Sequence, residues 1–112
     1  MKPATFAPAY IGLYPVLCDV ARDNGYALAV HGTVGTDLDL VAIPWTKEAA
    51  PLYTLLAELV NAVEFTRDKQ ITWQQLVEPP FREDKPYGRQ AFCIPLQAGA
   101  ALLISIMRRA LN

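Results

Sequence analysis

At 112 residues, 53% of them apolar and 19% charged, the chain is long enough to bury one hydrophobic core and too short to carry a separate substrate domain, so residues 1–112 read as a single domain. Its 10 basic and 11 acidic residues leave a formal charge of -1, which excludes a global electrostatic pull toward nucleic acid but leaves room for a local basic patch. No stretch approaches the roughly 20 apolar residues of a membrane span, and Pro3 and Pro8 interrupt the region where a secretory leader needs an apolar helix.

Residues 10–24 read as a helix, because Tyr10, Leu13, Leu17, Val20 and Ala21 recur at helical spacing and Gly25 supplies a C-terminal stop; Pro15 marks a candidate first turn. Residues 26–31 and 37–43 read as strands joined by a turn with two glycines. That connection is too short for a parallel crossover, so the two strands form an antiparallel hairpin. Thr46 is placed to cap a helical turn, and Leu52, Leu55, Leu56, Leu59, Val60 and Val63 draw an apolar stripe that predicts a helix from about 50 to 63, with Pro51 in its first turn. A short helix over 72–77 follows, then an exposed connection over 78–88, rich in proline and charge. Residues 89–96 and 100–107 read as a second hairpin, and the last strand, apolar on both faces, as a central one covered on both sides. The expected fold is α+β: a small mixed or antiparallel sheet with helices mainly on one face. Cys18 and Cys93 have no Cys or His neighbour at metal-ligand spacing and read as core thiols of a protein in a reducing cytoplasm.

The chemistry concentrates around Asp37 and Asp39. Side chains alternate along a strand, so both carboxylates project from one face while Leu38 and Leu40 enter the other. Such a pair suits a hard cation, Mg²⁺ or Mn²⁺, which takes one or two protein carboxylates together with phosphate oxygens. An acid within an apolar run also carries a desolvation cost that a metal or an arginine offsets. His31, the only histidine, precedes Gly32 and Thr33, which offer N–H groups and a hydroxyl to a phosphate. Structural readings stand beside these: Asp37 closing a turn, Asp39 holding the glycine-containing loop by hydrogen bonds, and His31 capping the backbone. Arg82, Lys85, Arg89, Arg108 and Arg109 are either a basic rim for phosphates or nucleic acid, or ordinary solvated charges. Trp45 and Trp73 either stack on a base or, for Trp45 beside Pro44, anchor a strand exit. No Ser-His-Asp logic, zinc-type cluster or Gly-x-x-x-x-Gly-Lys loop is present, so hydrolase, zinc-finger and P-loop readings fall away.

A hydrophobic strand, a Gly-Thr turn and Asp-x-Asp on the next strand, carried by Gly32, Thr33, Asp37 and Asp39, resembles the nucleotidyltransferase superfamily. Together with residues 25–32 and Ile43-Pro44-Trp45, the pattern is similar to small phage and prophage proteins of that fold, over about residues 10–45. The resemblance implies that Asp37 and Asp39 are catalytic carboxylates holding the metal. His31, Gly32, Thr33 and Arg89 would bind a nucleoside triphosphate, whose α-phosphorus an acceptor hydroxyl attacks as pyrophosphate leaves. Two departures qualify it. Only Val34, Gly35 and Thr36 separate Thr33 from Asp37, fewer than the family's usual segment. The family's third carboxylate belongs in residues 101–107, where there is no acid and Leu103 takes the vacated position. The resemblance therefore implies nucleotide binding with impaired catalysis. The alternative is a non-catalytic phage protein in the host cytoplasm, binding a protein partner, a second copy or nucleic acid, as an inhibitor of host defence or an antitoxin-like partner.

Overall fold

A computed structural model describes residues 6–108, which form helix α1 (Ala7–Asp23), strands β1 (Tyr26–Val34) and β2 (Asp37–Pro44), helices α2 (Leu52–Ala62) and α3 (Trp73–Leu76), and strands β3 (Arg82–Asp84), β4 (Gln90–Pro95) and β5 (Ala101–Ile106). The strands make one mixed sheet in the order β1-β2-β5-β4-β3. Both expected hairpins are present, β1 with β2 and β4 with β5, each antiparallel. What makes the sheet mixed is the parallel pairing of β2 with β5 at its centre.

Alternation along the strands decides which face is covered. Leu38, Leu40 and Ala42 of β2, Leu102, Ile104 and Ile106 of β5, and Phe92 and Ile94 of β4 are all buried. Above them lie α1, packed on β1 and β2, and α2, whose Tyr53 ring meets Phe92 edge-on at 6.0 Å. The apolar stripe of α2 fills this layer, with Leu55, Leu56 and Leu59 fully buried. Each such side chain contributes about 1.5–3 kcal/mol over its exposed state. Among the described residues the opposite face of the sheet carries no helix. Its positions Asp37, Asp39, Val41, Leu103, Ser105, Ala91 and Cys93 are only half-buried, so β5 is central as expected but covered on one side.

Several boundaries differ from the sequence expectation. Helix α1 begins at Ala7 with Pro8 in its first turn, and Pro15 lies inside the helix at a solvent-facing position, where the lost backbone bond is least costly. Gly25 does end the helix: its φ of +84° is open to glycine, and a Cβ there would stand 2.7 Å from the Ala49 Cα. Pro51 is the N-cap of α2 and not a first-turn residue, and Thr46 to Glu48 form a turn without a helix. Residues 78–88 are more ordered than expected, since Arg82–Asp84 pairs with Phe92, Ala91 and Gln90 as an edge strand. Cys93 faces the uncovered side of the sheet, so it is not a core thiol.

Candidate functional site

The uncovered face is organised in rows that follow from strand register. One row runs from Asp39 on β2 through Leu103 on β5 to Cys93 on β4. The next runs from Ala29 through Val41, Ser105 and Ala91 to Glu83. Asp37 heads a third row with Ala101 and Pro95. Two residues along a strand is roughly 6.5–7 Å, so the carboxylates share a face one row apart. Leu103 stands directly beside Asp39, in the register expected for the vacated third-acid position.

Opposite Asp39 the β1 strand is irregular. Val30 pairs with Leu40 and Val34 with Leu38, so His31, Gly32 and Thr33 together face Asp39 alone. Gly32, with φ +92°, takes up the bulge and lets the backbone pass close to the carboxylate: a Cβ at Gly32 would lie 3.9 Å from Asp39 Oδ2. Gly32 and Thr33 thus belong to β1 and not to the hairpin turn, which is made by Gly35 and Thr36; the Thr33 side chain lies outside the described residues. The bulge also aims His31 across the strand, bringing Nδ1 to 3.8 Å from Asp39 Oδ2.

Helix α1 clamps this corner. The Phe6 N–H donates to Gly35 O at 3.1 Å, and the Tyr10 hydroxyl donates to Thr36 O at 2.6 Å while accepting the Ala101 N–H at 3.1 Å. One buried phenol therefore ties the turn before Asp37 to the start of β5. Burial pushes the Tyr10 pKa up, the hydrogen bond from Ala101 pulls it down, and the Asp37 charge adds to the rise.

A cleft of about 290 Å³ opens over the first two rows. Asp39, Leu103, Cys93 and Ser105 form its floor, with Pro80, Phe81 and Glu83 on the β3 side and Lys85, Arg89 and His31 at its rim. Lys85 Nζ pairs with Glu83 Oε2 at 3.1 Å, whereas the Arg89 guanidinium has no ion pair among the described residues. The Cys93 thiol is pushed up first by burial and then by the Asp37 charge, so it stays protonated and weakly nucleophilic near neutral pH.

Of the residues singled out in the sequence, the structure brings His31, Asp39, Lys85, Arg89 and Leu103 to one cleft and sets Gly32 and Asp37 beyond its lining. Arg82 turns away to pair with Asp84 and to donate to Val77 O, and Arg109 lies outside the described residues. Comparison with protein-family models, curated proteins and solved structures finds no match to this chain. Glu83, Cys93 and Ser105 were not foreseen as site residues; alternation within 82–84, 90–95 and 101–106 places them on the Asp39 face only once the register is known. Among the described residues no group of three or more His, Cys, Asp or Glu side chains is placed to hold a metal, and no helix is long and apolar enough to cross a membrane. Two carboxylates alone suit a cation that draws its remaining oxygens from water and a bound phosphate.

Proposed function

We propose that this chain is a nucleotidyltransferase-like nucleotide-binding protein that takes a nucleoside triphosphate with Mg²⁺ or Mn²⁺ in the open-face cleft and works in a reducing cytoplasm without a full catalytic carboxylate set. The observation that carries the proposal is the meeting of Asp39 with Arg89 and Lys85 around one cleft, with Leu103 in the register position beside Asp39. In this reading Asp39, supported by Asp37 one row away, supplies carboxylate oxygens to the cation. Arg89 holds a phosphate through its planar fork. The Phe81 and Pro80 wall offers an apolar surface to the base. The cation, when bound, neutralises phosphate charge. Leu103 supplies no oxygen and accepts no proton, so an acceptor hydroxyl gains no activating base from β5 and turnover is slow or absent.

The test is titration calorimetry with Mg²⁺ or Mn²⁺ and each of the four ribonucleoside triphosphates, on the parent and on Asp39→Asn. Metal-dependent binding that weakens tenfold or more in the variant supports the reading; absence of binding by a folded parent overturns it.

A second reading, partner binding without nucleotide, is favoured by the apolar strip on the β1–β2 half of the uncovered face. Ile43 and Met107 are 42% and 40% exposed there, beside the exposed Ala27 and Ala29, and Trp45, 66% exposed, stands past the end of β2 near Ala27 and the α1 residues Cys18 and Arg22. Light scattering across a concentration series distinguishes a homodimer from a monomer that needs another protein.

A further inference from the structure

The β3–β4 and β4–β5 hairpins close with the same backbone turn. In Pro86–Gly88 the middle residue is Tyr87 at φ 66°, ψ 29°, followed by Gly88 at φ 75°; in Gln97–Gly99 it is Ala98 at φ 62°, ψ 25°, followed by Gly99 at φ 83°. The two loops are tied alike, Lys85 N–H to Arg89 O at 2.8 Å and Leu96 N–H to Ala100 O at 2.9 Å. Ala98 therefore serves as an internal control: the turn accepts a methyl side chain, and nothing in its geometry asks for an aromatic ring. Left-handed backbone is uncommon for a bulky residue. Tyr87 is nevertheless 101% exposed and packs against no other ring. Neither turn formation nor core packing accounts for a tyrosine at this position.

What surrounds it is cationic. Lys85 and Arg89 flank the turn, and Arg108 lies against it, since a Cβ on Gly88 would stand 3.0 Å from Arg108 Cδ. Glu83 and Asp84 lie on the same hairpin, but Lys85 and Arg82 pair with them, and among the described residues Arg89 and Arg108 have no ion pair. A freely presented aromatic face with unpaired guanidinium groups beside it matches the two demands of a single-stranded nucleic acid: a surface on which an unpaired base stacks, and cations for the adjoining phosphates. We propose that the Tyr87 hairpin tip is a contact site for single-stranded nucleic acid, with Tyr87 stacking on one base and Arg89 and Arg108 contacting the backbone. A duplex hides its base faces and meets only the cations. This surface lies outside the triphosphate cleft, although Lys85 and Arg89 border both, and it requires neither metal nor triphosphate.

The experiment is fluorescence anisotropy with labelled single-stranded DNA and RNA 12-mers of mixed sequence, and a DNA duplex, in EDTA without nucleotide, on the parent, Tyr87→Ala and Tyr87→Trp. Tyr87→Ala keeps the turn, because Ala98 already occupies it, and circular dichroism confirms the fold. The expected result is single-strand binding that weakens about 5- to 150-fold in Tyr87→Ala, the factor one base stack is worth, and persists in Tyr87→Trp. Its logarithm falls against the logarithm of salt with a slope of about -1.4 for two phosphate contacts. Equal binding by the parent and Tyr87→Ala, tighter binding of the duplex, or no binding by the parent overturns the proposal. Because triphosphate and metal are absent, none of these outcomes bears on the cleft.

Discussion

Tyr10→Phe removes a single oxygen that serves two backbone partners. In the folded chain that oxygen donates to Thr36 O at 2.6 Å and accepts from Ala101 N at 3.1 Å, in a side chain only 1% exposed. Phenylalanine fills the same volume, so the packing term is nearly unchanged and the loss is polar. A net contribution of about 0.5–1.5 kcal/mol per hydrogen bond gives a destabilisation of about 1–3 kcal/mol. For a chain of this length that corresponds to a fall in melting temperature of roughly 4–12 °C. Differential scanning calorimetry at pH 7 measures it, with Tyr14→Phe as the comparison, since Tyr14 makes one such bond, to Leu28 O at 2.8 Å. The pH dependence supplies a second readout. The Tyr10 pKa is raised above 10.0 in the folded state, so its contribution is complete below pH 10 and is lost as pH rises through the folded value. The parent therefore loses stability steeply in alkali, and Tyr10→Phe flattens that limb. A variant within 0.5 kcal/mol of the parent, with an unchanged alkaline limb, refutes the clamp.

Gly25→Ala costs about 2–4 kcal/mol in urea titration, because the new Cβ meets Thr46 Oγ1 at 2.6 Å and Ala49 Cα at 2.7 Å at a φ of +84°. Leu103→Asp places a third carboxylate beside Asp39 and is expected to confer Mn²⁺ binding without nucleotide, read by calorimetry, where the proposed site of the parent is expected to take the ion only together with a triphosphate. In a Cys18→Ser background, alkylation of Cys93 is slow at pH 7 and accelerates above pH 9. Asp37→Asn speeds it at fixed pH, because the carboxylate charge adds to the burial that raises the thiol.

The helices and both hairpins were legible because their signals are local. The stripe from Leu52 to Val60 lies on one helix face and is buried as a unit, and Gly25 ends α1 in the conformation that favours glycine. The β3 strand was not legible: Arg82, Glu83 and Asp84 are all charged, and their pairing rests on β4 at an edge where side chains remain solvated. The extension of β1 through Gly32 to Val34 was hidden because a bulge breaks the strand period that a sequence reading relies on. Asp37 and Asp39 were correctly placed on one face by alternation alone. Arg89, Glu83 and Cys93 reach the Asp39 neighbourhood through β4 and its pairing with β5, contacts distant in sequence that periodicity does not encode. Cys93 was expected in the core because no Cys or His stands near it at metal-ligand spacing, and register alone assigns it to the uncovered face.

The most direct test of the proposed nucleotide site is a ¹H–¹⁵N correlation spectrum of the parent titrated with sub-stoichiometric Mn²⁺, with and without a ribonucleoside triphosphate. The account predicts that amides of Gly32, Asp39, Cys93 and Ser105 broaden only when both are present, and that Asp39→Asn abolishes the effect. Unchanged spectra, or broadening centred on a distant acidic segment such as Glu64 and Asp68, would contradict it.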